Sequence, residues 1–284
     1  MSKYHIPVLV EELKTLLNLK PGDNAIDATL DGGGHARMML KLVSPDGKVL
    51  GIDQDIEMVK KMSGFKNLVT ALGNFRNIDK IAGKNNFKGA KAILFDLGMS
   101  TWHIEASGRG FSFQRPDEPL LMQLSAGAQK SAASILNAYS EAELTKIFRE
   151  FGEVRAPGWI ARKIISARRM KRIYSVGDLL KALGVKNKKA LAKIFQALRI
   201  AVNEELEALN EGLKNGFHLL SRGGRMAIIS YHSLEDRAVK VFFRNCRMFE
   251  QAQIITKKPV MPAFVEIRRN PSSRSAKLRV LEKI

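Results

Sequence analysis

Cysteine and long apolar runs are scarce in this sequence: it has one cysteine, Cys246, and no apolar stretch long enough to span a bilayer. One cysteine excludes an internal disulfide and a metal site built from a cysteine cluster, and it favours a reducing compartment. No signal-peptide core follows the first five residues, and they lack the arginine and serine content of an organellar presequence. We therefore expect a cytoplasmic protein with neither a membrane nor a metal partner.

Acidic residues are few relative to basic ones. The chain has 47 Lys and Arg against 28 Asp and Glu, which gives a formal net charge of +19 and a pI near 10.1. Basic surfaces bind phosphate groups by releasing counterions, whatever the base sequence. The imbalance predicts a polyanionic partner, nucleic acid first, and the alternative is a solvated basic face. An apolar fraction of 45% over 284 residues is typical of a globular chain of about two domains.

Short apolar strands alternate with helical stretches in the first hundred residues, and strand character returns near the end of the chain. The predicted strands are 24–30, 48–53, 67–72, 92–97, 225–231, 252–256 and 277–282. Between them, helices are expected at 156–170, 176–184 and 188–215, and Ser140 with Glu143 forms a capping box. The pattern predicts an α/β fold in which a helical domain interrupts a mostly parallel sheet.

A glycine-rich turn, DGGGH at 31–35, follows the first predicted strand, and the second ends at Asp53. Glycines allow a tight turn and close approach to a ligand, and an acid at a strand end accepts hydrogen bonds from ribose hydroxyls. The spacing of dinucleotide sites fails, because Arg37 stands where the third glycine belongs, and Asp31 would repel a pyrophosphate. A cationic cofactor such as S-adenosylmethionine fits better; the alternative is a turn that binds no ligand.

Basic residues cluster in two places. Seven lie between Arg155 and Gly177 with no acid among them, inside the predicted helical insertion. A second run, Arg268 to Arg279, lies near the C-terminus. The clustering predicts surfaces that bind phosphates, although each single side chain is as well explained by a solvated face.

Six segments together resemble the bacterial 16S ribosomal RNA cytosine-N4 methyltransferase family. They are HIPVLVEE at 5–12, FDLGMS at 95–100, RGFSF at 109–113, FQALRIAVNEEL at 195–206, SYHSLEDR at 230–237 and NPSSRSAKLR at 270–279. The resemblance implies a seven-stranded Rossmann-like class I methyltransferase core over 1–104 and 204–284, with an inserted helical substrate-recognition domain over 105–203. It further implies that S-adenosylmethionine donates a methyl group to the exocyclic N4 amine of a decoding-centre cytidine in the small ribosomal subunit.

Carried over by position, the resemblance implies three groups of site residues. Cofactor contacts are expected at Gly33, Gly34, His35, Asp53, Phe75, Asp96 and His103. Substrate contacts are expected at Arg109, Phe111, Phe113, Glu235, Asp236 and Arg274. Asp96 is the first candidate to accept the proton of the amine and His232 the second.

Several of these residues also have structural explanations. Phe75 is equally explained as a core aromatic at a helix start, and Phe111 and Phe113 as anchors beneath a loop. Asp96 is also explained as a residue that only orients the cofactor. SYHSLEDR opens a helix with Ser233 as a plausible cap, so helix capping and ion pairing with Arg237 also explain its acids.

The sequence departs from the family at three places. PLLMQLS at 119–125 replaces a segment with two further acids and an arginine, His103 replaces a glutamine, and Asp31 stands in the glycine turn. A ribosome-assembly or RNA-binding factor with weak or no catalysis is therefore the alternative function. A DNA amino-methyltransferase is disfavoured, because Asp96 is followed by LGM instead of Pro-Pro-aromatic. The oligomeric state, monomer or homodimer, stays open.

Overall fold

The computed structural model describes residues 6–125 and 127–284, so His5 of the first family segment lies outside the described residues. Two compact units are present. One consists of the described residues up to Ser100 together with Leu206–Ile284, and the other is Thr101–Glu205. The roles assigned from the sequence, cofactor binding for the first and substrate recognition for the second, stay proposals.

Seven strands within the described residues form one sheet in the order β3-β2-β1-β4-β5-β7-β6. They are β1 (Asn24–Asp27), β2 (Val49–Asp53), β3 (Leu68–Leu72), β4 (Ala90–Asp96), β5 (Leu220–Ser230), β6 (Ala252–Ile254) and β7 (Lys277–Lys283). Strand β7 pairs antiparallel with β5 and β6, whereas the other pairs are parallel. The predicted Rossmann-like class I core with its seven-stranded, mostly parallel sheet is confirmed.

Helices cover both faces of this sheet and build the second unit. Among the described residues they are α1 (Val10–Leu16), α2 (Gly34–Val43), α3 (Ile56–Met62), α4 (Ile78–Lys84), α5 (Thr101–Glu105), α6 (Ala132–Ala138), α7 (Glu141–Glu150), α8 (Pro157–Met170), α9 (Val176–Leu183), α10 (Lys188–Asn203), α11 (Glu205–Leu219), α12 (Ser233–Met248) and α13 (Phe264–Arg269). None of these helices is long and apolar enough to cross a membrane.

Alternate residues of the central strands enter different cores because side chains of a strand point to opposite faces. Ile26, Ile93 and Phe95 pack in one core with residues of α4, α11 and α12. Ala25 and Leu94 pack in the other with residues of α1 and α2. Both faces are buried, which explains why these strands read as continuous apolar runs instead of alternating ones.

Two sequence predictions about element ends are wrong. The predicted helix 188–215 is two helices, because Glu204 adopts a left-handed backbone (φ 50°) that caps α10 before α11 starts. Helix α12 is capped by His232 and not by Ser233: His232 is extended, and its Nδ1 accepts a hydrogen bond from the Glu235 amide. The predicted capping box of Ser140 and Glu143 at the start of α7 is confirmed.

Candidate active site at the carboxyl edge of the sheet

The glycine turn after β1 is built for close approach. Gly33 caps α2 with a left-handed backbone (φ 71°), and a Cβ there would lie 2.2 Å from Sδ of Met62. A Cβ on Gly34 would lie 2.7 Å from the ring of Pro7. Neither position has room for a side chain, because Met62 and Pro7 pack directly against the turn at the start of α2.

Asp53, at the end of β2, is held in place by two backbone amides. Its Oδ2 accepts from the amide of Asp31 and its Oδ1 from the amide of Asp55, both at 2.8 Å. Both amide bonds fix the orientation of this carboxylate at the strand end. The bond to Asp31 also links the second strand to the glycine turn.

Four carboxyl groups gather at this edge, and one of them was missed from the sequence. Asp27, the last residue of β1, is fully buried, and its Oδ2 has no hydrogen-bond partner in the part of the chain that the structure describes. Burial first, and then the charges of Asp96, Asp53 and Asp31, raise the pKa of Asp27 well above its ordinary value. The signal that points to it is an acid that ends a strand directly before a glycine turn.

Asp96, at the end of β4, is contacted from several sides. Its amide donates to Oγ1 of Thr29 at 2.7 Å, and the amide of Gly98 donates to its Oδ1 at 3.1 Å. Nδ1 of His35, in the first turn of α2, lies 3.5 Å from its Oδ2. The Asp96 side chain is only 6% exposed, so these contacts fix its orientation.

Tyr231, which follows β5, is a second residue that sequence reasoning missed. A Cβ on Gly98 would lie 2.7 Å from the Tyr231 ring and 3.0 Å from Oδ1 of Asp96, so only a glycine fits between them. Burial, and then the charge of Asp96, raise the pKa of Tyr231 well above its ordinary value. A side-chain hydrogen bond with Asp96 also contributes to the raised pKa, although the hydroxyl makes no hydrogen bond of strict geometry within the described residues, so the neutral hydroxyl lies beside the carboxylate.

Phe75 opens the turn after β3 and packs against the core. Its ring meets Phe95 edge to face at 5.6 Å, and a Cβ on Gly212 of α11 would lie 2.7 Å from it. These contacts match the alternative of a core aromatic. Its contact with a cofactor stays a prediction.

Glu235 and Asp236, on the first turn of α12, already have protein partners. Oε2 of Glu235 accepts from the amide of Tyr231 at 2.8 Å, and His232 and Glu235 form a capping box. Asp236 binds Arg279 at 2.7 Å and Lys277 at 3.6 Å. Burial alone would raise the pKa of Asp236, but Arg279 and Lys277 lower it below its ordinary value. These contacts match the capping alternative, and the catalytic and substrate roles of these residues stay predictions.

A model of the MraW methylase family matches residues 2–284 of this chain. The chain is 42% identical to the ribosomal RNA small subunit methyltransferase H of Dictyoglomus thermophilum, with 100% of the chain and 98% of that protein covered. It is 40% identical to the protein of the same name from Persephonella marina, with 99% of each covered. The chain belongs to the MraW methylase family.

Membership in the MraW methylase family confirms the predicted methyltransferase and its methyl donor, S-adenosylmethionine. Among solved structures, an rRNA methylase from Streptococcus thermophilus covers 97% of this chain and 93% of its own length, with 14% identity and a TM-score of 0.45. A likeness that weak carries no argument about function. The assignment to the MraW methylase family therefore rests on sequence.

The predicted aromatic site residues of the second unit pack against other aromatic rings of that unit. The ring of His103 lies 5.1 Å from Trp102 and 5.9 Å from Phe111, which is buried. The ring of Phe113 lies 5.8 Å from Phe195. These contacts match the alternative of hydrophobic anchors, and cofactor or substrate contact stays a prediction for all three predicted residues.

Arg109 and Asn203 hold the 119–125 segment, in which a departure from the family pattern is expected from the sequence. Nη1 of Arg109 donates to the carbonyls of Gln123 and Leu124, each at 3.2 Å. Asn203 donates to the carbonyl of Met122 at 2.8 Å and accepts from the amide of Leu124 at 2.9 Å. The segment is fixed through its main chain, so its order does not depend on the acids and the arginine that it lacks.

The basic run near the C-terminus divides into two parts. Arg279 and Lys277 lie on β7 and are paired with Asp236. Arg268, Arg269 and Arg274 are exposed, and none of them forms an ion pair within the described residues. Arg274, the predicted substrate contact, therefore belongs to the part of this run that is free to meet phosphates.

Proposed function

We propose that this protein transfers a methyl group from S-adenosylmethionine to the exocyclic N4 amine of a decoding-centre cytidine in 16S rRNA of the small ribosomal subunit. The observation that carries the cofactor half of the proposal is the group of four carboxyl groups at the carboxyl edge of the sheet, Asp27, Asp31, Asp53 and Asp96. Their mutual repulsion makes this edge unfavourable for a phosphate and favourable for a sulfonium and an ammonium group.

The residues of this edge fit S-adenosylmethionine on physical grounds. Gly33 and Gly34 let the turn pack tightly against Met62 and Pro7 at this edge, and Asp53, fixed by two amides at the end of β2, is suited to accept from ribose hydroxyls. When bound, the cofactor supplies the methyl group and the positive charge that the acids attract. We keep His35, Phe75 and His103 as further proposed contacts.

Asp96 is the proposed acceptor in the reaction. The amine of cytosine is a weak nucleophile, because its lone pair is delocalised into the ring, so the site must orient the amine and remove its proton. Asp96 is buried, oriented by the Gly98 amide, and adjacent to the Tyr231 hydroxyl, a neutral donor that interacts with the carboxylate. His232 is the second proposed acceptor.

The substrate half of the proposal is supported by the relatives and by charge. The two relatives described above are named as methyltransferases of the small-subunit ribosomal RNA. The chain has 47 basic residues and 28 acidic ones, and this net positive charge favours binding of a polyanion. We propose that Arg109, Phe111 and Phe113, together with the basic helices of the second unit and Arg274, contact the RNA. The target base must be presented unpaired or extruded for its amine to reach Asp96.

The test is methyl transfer from labelled S-adenosylmethionine to small ribosomal subunits that lack the modification, followed by mass mapping of the product nucleoside. We expect label on the N4 atom of one cytidine. Label on an adenine or on a ring carbon would overturn the N4 assignment. Cofactor binding by calorimetry without any transfer would support the alternative, an assembly factor without catalysis, which the altered 119–125 segment motivates.

A further inference from the structure

His35 is buried between the N-terminal segment and the end of β4. Its Nε2 lies 2.9 Å from the carbonyl oxygen of Val8, and its Nδ1 lies 3.5 Å from Oδ2 of Asp96. Both side chains are nearly inaccessible, at 5% and 6% exposed. The two ring nitrogens therefore face two different oxygen atoms of the protein.

The Val8 carbonyl decides where the ring carries its hydrogen. A carbonyl oxygen only accepts hydrogen bonds, so Nε2 must be the donor and must carry a proton. In the neutral ring the lone pair is then on Nδ1, directed at the Asp96 carboxylate. Two acceptors facing each other out of water are unfavourable until one proton lies between them.

The pair lies among further acidic groups. Asp27 and Tyr231 interact electrostatically with Asp96, and Glu235 and Asp31 interact electrostatically with Tyr231. His35 is a basic side chain in contact with Asp96, with Nδ1 3.5 Å from Oδ2. An additional proton at this contact is therefore held between His35 and Asp96.

We propose that His35 is a positioning residue that takes up, through Nδ1, the proton that Asp96 receives from the amine during methyl transfer. The inference rests on the proposed function. It gives His35 a role through Asp96, separate from the predicted contact with the cofactor.

The step balances without any further reactant. The amine nitrogen forms its bond to the methyl carbon as the carbon–sulfur bond breaks, and the sulfur keeps that electron pair. The nitrogen then holds one hydrogen too many, and its N–H bond breaks as an O–H bond forms on Asp96. The proton passes from Oδ2 to Nδ1, so that His35 becomes an imidazolium hydrogen-bonded to Val8 and Asp96.

The kinetic test compares His35→Gln and His35→Asn with the unaltered protein in single-turnover methyl transfer to unmodified small subunits across pH. Gln retains a donor toward Val8 but has no group at Nδ1, and Asn retains a hydrogen bond to Asp96 but takes up no proton. We expect the unaltered protein to lose rate on the acid side, as the shared proton position fills. Both variants should react about tenfold to a hundredfold more slowly, with the acid limb moved to lower pH.

His218→Gln is the matched control, because His218 is exposed on α11 and lies outside the proposed site. It should behave as the unaltered protein does. An unaltered rate and an unaltered acid limb in both His35 variants would overturn the inference. Inactivity of the unaltered protein on these subunits would instead remove the proposed function.

A second readout needs no substrate. Long-range 1H–15N correlation spectra of the ligand-free protein report which ring nitrogen of neutral His35 carries the hydrogen, and His35→Gln assigns the signal among the five histidines. We expect the hydrogen on Nε2, bonded to the Val8 carbonyl, and the lone pair on Nδ1. A neutral ring with its hydrogen on Nδ1 would contradict the pairing.

Discussion

The acidic edge of the sheet and the basic helices of the second unit carry opposite charges in opposite settings. At the carboxyl edge of the sheet, Asp27 and Asp96 are buried acids close to other acids. In the second unit, Arg169 and Arg172 are exposed bases without an ion pair in the part of the chain that the structure describes. Buried like charges destabilise the fold until a counter-charge enters, whereas exposed cations cost little and bind phosphates in a salt-dependent way. The first setting selects a small cation and the second a polyanion.

The largest effect is expected from Asp96→Asn, which retains the shape of the side chain and removes the acceptor. Methyl transfer should fall by about a hundredfold or more, because general-base removal typically costs that much. Cofactor affinity measured by calorimetry should change far less. A rate within a few fold of the unaltered protein would assign Asp96 to cofactor orientation only, and His232 would become the first candidate acceptor.

Asp53→Ala sharpens the cofactor side of the comparison. The substitution removes the proposed ribose acceptor and the bond to the Asp31 amide. We expect cofactor affinity to fall by about tenfold to a hundredfold, the value of one or two hydrogen bonds to a charged group. Asp53→Asn retains one acceptor oxygen. Its cofactor affinity should therefore lie between that of Asp53→Ala and that of the unaltered protein. An unchanged dissociation constant in both variants would mean that the ribose does not bind at Asp53.

Asp27→Asn tests the cost of burying an acid. Burial and the neighbouring acids raise the pKa of Asp27 in the folded protein. The stability that the neutral side chain contributes is therefore present below the ordinary pKa of 3.8, and it is lost as the pH rises through the raised pKa. The substitution should therefore stabilise the ligand-free protein by about 1–3 kcal/mol at neutral pH and have no such effect near pH 3.8.

Thermal unfolding across pH measures this effect, with Asp46→Asn, an exposed acid, as the control. The control should show no gain at any pH. A gain in Asp27→Asn that is independent of pH would contradict the assigned cause.

The smallest effect is expected in the second unit, where two adjacent arginines differ. Arg168 donates to the carbonyls of Leu136 at 2.7 Å and Tyr139 at 2.6 Å, whereas Arg169 is exposed. Arg169→Gln with Arg172→Gln should weaken binding to small subunits severalfold and lower the salt slope by up to about two, without changing cofactor affinity or melting temperature. Arg168→Gln should mainly lower the melting temperature. If Arg168→Gln weakened RNA binding as much as the Arg169→Gln, Arg172→Gln double variant, the assignment of Arg168 to structure and Arg169 to RNA binding would be wrong.

Residues at regular positions of the fold were predictable from sequence. Asp53 and Asp96 are recognisable because each ends an apolar strand of a parallel sheet, and such ends share one edge. The sheet itself follows from apolar strands that are buried on both faces.

Residues whose role depends on their surroundings were not predictable in this way. Asp27 also ends a strand, but the predicted strand 24–30 places it inside the strand instead of at its end. Tyr231 differs from an ordinary residue only because it is buried and has a polar atom without a partner among the described residues, which no spacing records. The break at Glu204 carries no glycine or proline to announce it. Arg168 and Arg169 read alike in the sequence until the carbonyls of Leu136 and Tyr139 distinguish them.

The central claim is that the acidic edge of the sheet binds a cation. Calorimetric titration of S-adenosylmethionine in buffers of different ionisation enthalpy, over pH 5 to 8, counts the protons exchanged on binding. A bound cation lowers the pKa of Asp27, so we predict that binding releases protons and that Asp27→Asn removes most of that release. Binding without proton release, or a release that Asp27→Asn leaves intact, would contradict the claim.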